Sequence, residues 1–150
     1  MTATIQDTIE RTVELPVTRE RAWEAITTPA QISQWFHGLW EFELQPGAPI
    51  YFDFGDWGIH RGRVETVEPM DRVVYLWTHG GDADRSIAID QVPNTLMEFT
   101  LSDATDGTRL TVVESGFAAL PADIRDNSLR NNTEGWDEQV RNIANYLENA

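Results

Sequence analysis

A glutamate inside an apolar, alternating stretch is the side chain of this sequence with the greatest potential for chemistry. In RLTVVES (109–115), Glu114 has the same parity as Leu110 and Val112, so a β-strand here turns its carboxylate toward the interior. A carboxylate in an apolar enclosure is costly unless it has partners, and its pKa rises if it has none. A bulge before SGF would instead turn Glu114 to solvent. We favour the inward interpretation.

Other strands offer partners for this carboxylate. In VVYLWTH (73–79), Tyr75, Trp77 and His79 share parity with the apolar Val73. His60 falls on the same face of its own strand as Gly62 and Val64, whereas Arg63 falls on the opposite, solvated face. A buried Glu beside a His and a Tyr can perform general acid–base chemistry. We favour a role in orienting a ligand, because no nucleophile–base set and no G-x-S-x-G motif accompanies these residues.

Metal and cofactor chemistry have little support in the sequence. The histidines at 37, 60 and 79 have no metal-ligand spacing, and there is no cysteine. His79 with Asp82 and Asp84 is a weak exception, which we interpret as a solvated turn. We therefore expect no metal and no cofactor.

Composition limits the class of protein. The 150 residues fit one domain, 1–150, and the net charge of −14, with Arg as its only basic residue besides His, disfavours nucleic acids and anionic membranes. The longest apolar run is VVYLW (73–77), too short to span a bilayer. The first residues lack the pattern of a signal peptide, so we expect a cytoplasmic protein.

The elements that must position these residues follow from periodicity. A strand within 5–15 precedes two short helices, the first capped by Thr18 and the second beginning at Pro29. From 39 to 116 the pattern indicates strands joined by short links, which requires antiparallel pairing. Among them we predict strands in LWEFEL (39–44) and SIAID (86–90).

The last helix is the element long enough to cover the sheet. In residues 132–147, an apolar stripe recurs at helical spacing: Trp136, Val140, Ile143 and Leu147. Gly135 costs about 1 kcal/mol against Ala inside a helix, so we expect a close approach of the backbone to another element there.

The order of the predicted elements and the sequence of several segments resemble those of a known family. NTLMEFTLSDATDGTRLTVVESGFAALP (94–121), NNTEGWDEQVRNIANYL (131–147) and IERTVELPVTRERAWEAITTPAQISQWF (9–36) resemble bacterial proteins related to the C-terminal domain of the activator of the heat-shock-protein-90 ATPase. The resemblance covers nearly the whole chain. It implies an α+β helix-grip fold (START/SRPBCC-like): a curved antiparallel sheet of about seven strands around a long C-terminal helix, with two short helices after the first strand. GGDADRSIAIDQVP (80–93) matches the family least well and is a candidate pocket rim.

The superfamily includes lipid carriers, hormone receptors, polyketide cyclases and chaperone regulators, so three functions stay open. We favour a protein that binds an amphipathic, aromatic or lipid-like molecule between the sheet and the last helix, and that is not an enzyme. The alternatives are a chaperone-regulator-like protein-interaction module, with a chaperone or another protein as its partner, and a cyclase- or hydrolase-like enzyme that uses Glu114 with His60, His79 or Tyr75. We expect a monomer or homodimer. The expected ligand-binding residues are Glu114, Trp77, Tyr75, His60, His79, Trp136, Phe99, Val112 and Val140.

The remaining tryptophans are expected mainly in the core. Trp35 and Phe36 are candidates for a pocket lip, and Trp57, in the turn GDWG, for a gate or a loop cover.

Overall fold

A computed structural model describes residues 6–36, 38–55, 58–79 and 87–149 of the chain. Its elements, in chain order, are β1 (Thr8–Leu15), α1 (Arg19–Thr27), α2 (Pro29–Trp35), β2 (Leu39–Glu41), β3 (Pro49–Asp53), β4 (Ile59–Glu68), β5 (Arg72–Thr78), β6 (Asn94–Ala104), β7 (Gly107–Ser115) and α3 (Ala122–Glu148). Two short 3₁₀ turns, Ile89–Gln91 and Phe117–Ala119, complete them.

The seven strands form one antiparallel sheet in the order β1-β7-β6-β5-β4-β3-β2. With α3 and the two short helices after β1, this is the α+β helix-grip fold that the resemblance implies, and that prediction is confirmed. Among the described residues, no helix is long and apolar enough to cross a bilayer.

The short helices begin where their capping residues predict. The side chain of Thr18 accepts a hydrogen bond from the backbone N–H of Arg21, which satisfies a free donor at the start of α1. Pro29 is the first residue of α2, where its missing N–H costs nothing.

Two predicted strands differ in the structure. β2 ends at Glu41 instead of residue 44, because the chain leaves the edge there and Gly47 and Ala48 bond to Val64 on β4. The described part of SIAID, residues 87–90, enters a 3₁₀ turn and not a strand. β5 pairs directly with β6, from Thr78↔Asn94 onward, so the sheet has no position for another strand between them.

α3 begins at Ala122, ten residues before the predicted helix, and has 27 residues. Its first part carries only Ile124 and Leu129 against the core, which is too sparse to show a helical period. Farther along, the buried stripe includes Gln139 where Val140 was expected, and Val140 is half-buried. The buried members are Trp136, Gln139, Ile143 and Leu147.

A glycine in β4 lets the sheet pack closely on its inner face. A Cβ at Gly62 would lie 2.4 Å from the carbonyl oxygen of Leu76 and 2.5 Å from the ring of Phe52. The Phe52 ring therefore occupies the space that a side chain would need, and the aromatic core of β2, β3 and β5 closes over this position.

Candidate functional site: a buried carboxylate beneath an aromatic cleft

Glu114 is fully buried, with 0% of its surface exposed, and donors from three other elements converge on its carboxylate. Oε1 accepts from the indole Nε1 of Trp136 at 2.8 Å. Oε2 accepts from Trp77 Nε1 at 2.8 Å and from the Thr95 hydroxyl at 2.5 Å. The amide nitrogen of Asn132 lies 3.0 Å from both oxygens. His79 Nε2 lies 3.5 Å from Oε2. We call these six residues the Glu114 cluster.

Strand register and helix period bring the cluster together. Glu114 on β7 lies opposite Met97 on β6, and Thr95 is two residues from Met97 on the same face. Trp77 on β5 pairs with Thr95. On α3, Asn132 and Trp136 are four residues apart and therefore share one helix face. The cluster joins the centre of the sheet to the helix that covers it.

The carboxylate stays ionised despite its burial. Removal from water by itself raises the pKa of Glu114. Hydrogen bonds to the charged form outweigh that effect and hold the pKa below its ordinary value; the donors, in order of effect, are His79, Thr95, Trp77 and Trp136. The inward orientation of Glu114 is confirmed, and its partners explain why the rise that an unpartnered carboxyl would show does not occur.

These donors use the acceptor positions of the carboxylate. An ionised carboxylate has about four lone-pair sites. Trp77, Thr95 and Trp136 each bond to one oxygen, and Asn132 lies within hydrogen-bond distance of both. Glu114 can therefore orient its neighbours, but it has no free position from which to take a proton from a ligand.

A cleft of about 1070 Å³ lies next to the cluster, between the sheet and the first half of α3. Its aromatic wall consists of Phe36, Phe54, Trp77 and Trp136. The rings contact one another edge to face, with centroids 5.8 Å apart for Phe36–Trp136 and 6.0 Å for Phe54–Trp77. Two imidazoles, His60 and His79, complete the sheet side.

The helix side of the cleft is polar. It presents amides and hydroxyls together with two exposed carboxylates; the residues are Asn127, Ser128, Asn131, Asn132, Glu134, Glu138 and Gln139. Because both indole N–H groups of the aromatic wall point to Glu114, that wall offers a ligand ring faces and no indole donor. The cleft thus combines an apolar, flat surface with an opposing polar one.

The cleft lies between the sheet and the helix that covers it, and sequence comparison identifies the family. The family model described as "Activator of Hsp90 ATPase homolog 1-like protein" matches residues 16–148. The chain belongs to this family. The resemblance noted in the sequence is therefore confirmed.

Solved structures share the fold of this chain. DynU16, described as a protein in the dynemicin biosynthetic locus, is 29% identical, with a TM-score of 0.75 over 96% of this chain and 48% of DynU16. MLL2253 from Mesorhizobium loti is 22% identical, with a TM-score of 0.78 over 95% of this chain and 98% of its own. CalU16 from Micromonospora echinospora is 18% identical, with a TM-score of 0.69 over 93% and 75% of the two chains.

The chain spans about half the length of DynU16. No curated protein matches its sequence.

The predicted ligand-binding residues separate into three groups in this family member. His60, Trp77, His79 and Trp136 lie in the lining of the cleft, and Glu114 lies behind the indoles. The other predicted residues lie outside the lining: Tyr75, Phe99 and Val112 are in the core, and Val140 is a half-buried residue of α3.

Tyr75 is separated from the cluster by one strand. Its row of the sheet runs Tyr75–Met97–Glu114, so Met97 lies between the phenol and the carboxylate. The Tyr75 hydroxyl donates instead to the carbonyl of Ile26 at 2.6 Å. Burial raises the pKa of Tyr75 well above its ordinary value, so this phenol stays protonated. Of the three possible partners, Trp77 and His79 therefore lie against Glu114, and Tyr75 does not.

His60 is the second residue of β4 and pairs with Phe52 on β3. Its Nδ1 lies 3.2 Å from the carbonyl oxygen of Thr78. Its ring packs 5.5 Å from Phe54 and 6.2 Å from Trp77. Arg63 lies on the outer face, as predicted, and pairs there with Glu65 and Asp90. Its pairing places the 3₁₀ turn of residues 89–91 against that face.

Sequence reasoning missed Thr95 and Asn132. Both carried a usable signal: Thr95 shares parity with Met97 and Phe99, and Asn132 lies one turn before Trp136. Of the proposed pocket lip, Phe36 lines the cleft, whereas Trp35 donates to the Ala25 carbonyl at 2.9 Å and lines a second, smaller depression of about 540 Å³.

Several predictions fall outside the described residues: those on His37, Trp57, Asp82 and Asp84, and on residues 80–86 of the candidate rim. Within the described ranges, no group of three or more His, Asp or Glu residues is arranged to hold a metal ion.

Proposed function

We propose that this protein binds a small aromatic or amphipathic molecule in the cleft between the sheet and α3. The observation that carries the proposal is the orientation of Trp77 and Trp136. The indole N–H of each donates a hydrogen bond to Glu114, and both side chains line the cleft. A binding surface for flat apolar groups is thereby held in place by one buried carboxylate.

The size and lining of the cleft support this function. Ligand sites in proteins occupy roughly 300–1,000 Å³ and combine mainly apolar walls with a few placed polar groups. The cleft, at about 1070 Å³, is slightly larger than the top of this range and has most of its polar groups on the helix side. The exposed carboxylates of Glu134 and Glu138 and the net charge of −14 favour neutral or cationic ligands over anionic ones.

The biosynthetic locus in which DynU16 is found supports a small-molecule ligand for the present protein. DynU16 is described as a protein in a biosynthetic locus and is 29% identical to this chain. The fully bonded state of Glu114 favours binding over catalysis, because a general base needs a free lone pair within reach of the substrate.

Gly135 provides a direct test, because it lines the cleft and has open space where a Cβ would lie. Gly135→Leu should fill part of the cleft without moving the backbone, and Gly135→Ala is its control at the same position. We expect wild type and Gly135→Ala to bind the neutral dye Nile red within twofold of each other by fluorescence titration. Gly135→Leu should bind about tenfold more weakly, a loss of about 1.4 kcal/mol.

The proposal fails if Nile red and a panel of neutral aromatic compounds give no saturable binding to the wild type. It also fails if Gly135→Leu binds as tightly as Gly135→Ala while both variants remain folded by circular dichroism.

A further inference from the structure

The hydroxyl of Thr95 determines how its neighbours carry their protons. It has three polar neighbours: Glu114 Oε2 at 2.5 Å, His79 Nε2 at 2.7 Å and Trp77 Nε1 at 2.9 Å. A hydroxyl donates one hydrogen bond and accepts up to two. The ionised Glu114 has no proton to give, so the Thr95 proton must lie toward the carboxylate. The hydroxyl oxygen then accepts from both ring nitrogens.

This arrangement sets the tautomer of His79. Since the Thr95 hydroxyl donates its one hydrogen bond to Glu114, the hydrogen bond between Nε2 and the hydroxyl requires a proton on Nε2. In the neutral form of the ring, a proton on Nε2 leaves the lone pair on Nδ1. Glu114, 3.5 Å from Nε2, favours the same tautomer.

Two polar atoms of the cluster have no partner among the described residues: Nδ1 of His79 and the side-chain oxygen of Asn132, whose nitrogen bonds to Glu114. Of the two, Nδ1 belongs to the aromatic side of the cleft. The His79 side chain is only 8% exposed and contributes to the cleft lining. Nδ1 has no hydrogen-bond partner among the residues that the structure describes. The ring is held between Trp77, at 5.5 Å, and Phe117, at 6.0 Å, so its orientation is fixed by packing as well as by Thr95.

We infer that Nδ1 of His79 accepts a hydrogen bond from the bound molecule, and that the cleft selects neutral aromatic compounds carrying a hydroxyl group. This inference rests on the proposed function and specifies the ligand class for the same cleft. The flat ring of such a ligand packs on the aromatic wall, whose indole N–H groups are already used by Glu114. Its hydroxyl group supplies the donor that Nδ1 lacks.

Three naphthalenes of similar size test the inference with purified protein at pH 8. 2-Naphthol has a donor, 2-methoxynaphthalene has the same oxygen without the proton, and 2-naphthoate carries a negative charge. By isothermal titration calorimetry we expect 2-naphthol to bind about threefold to tenfold more tightly than 2-methoxynaphthalene, the range that one net hydrogen bond provides. 2-Naphthoate should bind most weakly.

Two variants locate the selectivity at His79. His79→Gln keeps a side-chain N–H that can reach Thr95 but loses the ring acceptor, whereas His79→Asn places a carbonyl oxygen near the position of Nδ1. We expect His79→Gln to bind 2-naphthol and 2-methoxynaphthalene equally within twofold, and His79→Asn to retain part of the preference. Thermal unfolding of each variant verifies that it is folded.

The outcomes separate the two proposals. Equal binding of 2-naphthol and 2-methoxynaphthalene to the wild type overturns the inference and leaves the proposed function standing. An undiminished preference for 2-naphthol in folded His79→Gln also overturns it. If none of the neutral compounds binds, the inference and the proposed function fail together.

Discussion

Glu114 is both the most buried and the most extensively hydrogen-bonded ionisable side chain that the structure describes around the cleft. A charged group in this position stabilises the fold only because its donors come from strands and helix alike. Without it, the indole N–H of Trp136 would lose its acceptor, whereas Trp77 and His79 would keep only the hydroxyl of Thr95. The residue therefore couples the packing of α3 on the sheet to the shape of the aromatic wall.

Glu114→Gln should lower the free energy of unfolding by about 2–4 kcal/mol at pH 7, because buried donors lose a charged acceptor. Chemical denaturation measures this loss. Glu134→Gln is the matched control, since Glu134 is exposed at the same cleft, and it should change the stability by no more than about 0.5 kcal/mol.

The same variant should alter the pH dependence of stability. The pKa of Glu114 is lower in the folded than in the unfolded chain, so its contribution is present above the unfolded pKa, about 4.3. It is lost as the pH falls through the folded pKa. Between these values the unfolding free energy of the wild type should fall more steeply than that of Glu114→Gln, by up to about 1.4 kcal/mol per pH unit.

Asp90 and Asp137, whose pKa values are lowered by Arg63 and Arg11, are unchanged in both proteins and cancel in this comparison. Parallel curves for wild type and Glu114→Gln below pH 4.3 would show that the carboxylate is not held ionised by its donors.

Parity along one strand was sufficient to predict that Glu114 points inward, since Leu110 and Val112 share its face. It was not sufficient to choose its partners. Tyr75, Trp77 and His79 have the same parity, but their distances from Glu114 depend on the register between strands, which no local pattern specifies. β6 lies between β5 and β7, and its residues Met97 and Thr95 separate the two rows of side chains. Met97 lies between Tyr75 and Glu114, whereas Trp77 reaches the carboxylate beside the smaller Thr95.

At the scale of the element, α3 shows what helical periodicity can and cannot predict. The apolar period located Trp136, Ile143 and Leu147 on the buried face, and all three are buried. It missed the first ten residues of the helix, because a segment that lines a polar cleft does not need an apolar stripe. Asn127, Ser128 and Asn131 belong to that segment.

Gly135 is another point at which the prediction for α3 was wrong. The expected close approach to another element is absent, since no heavy atom lies within 4 Å of where its Cβ would be, apart from the residue's own chain neighbours and the helix backbone. Gly135→Ala should therefore raise the free energy of unfolding by up to about 1 kcal/mol, the difference in helix propensity. Urea denaturation measures the change, and a loss of stability would show that the position is crowded.

At the scale of the whole molecule, the fold could be predicted from the sequence because segments distributed from residue 9 to residue 147 resemble one family. The cleft could not be predicted, because it is the space between α3 and the sheet that side chains leave unfilled. That space depends on the position of α3 in the assembled structure. Phe36 and Phe54 come from the connections after α2 and β3, and they meet Trp77 and Trp136 only in the assembled structure.

The acidic character of the chain has a consequence at this scale as well. A net charge of −14 and two carboxylates on the helix side of the cleft oppose the entry of anions.

The central claim is that a neutral aromatic molecule lies on the faces of Trp77 and Trp136 while their N–H groups stay bonded to Glu114.

The most direct test is a two-dimensional ¹⁵N–¹H NMR titration of the tryptophan indole N–H signals with 2-methoxynaphthalene, a probe that does not depend on His79. Ring currents from a stacked ligand should shift the Trp77 and Trp136 signals along one common saturation curve. Trp23, on α1 and outside the cleft lining, should keep its position and serves as the internal control. Indole signals that stay unchanged for Trp77 and Trp136 at saturating probe, or that shift for Trp23 instead, would contradict the claim.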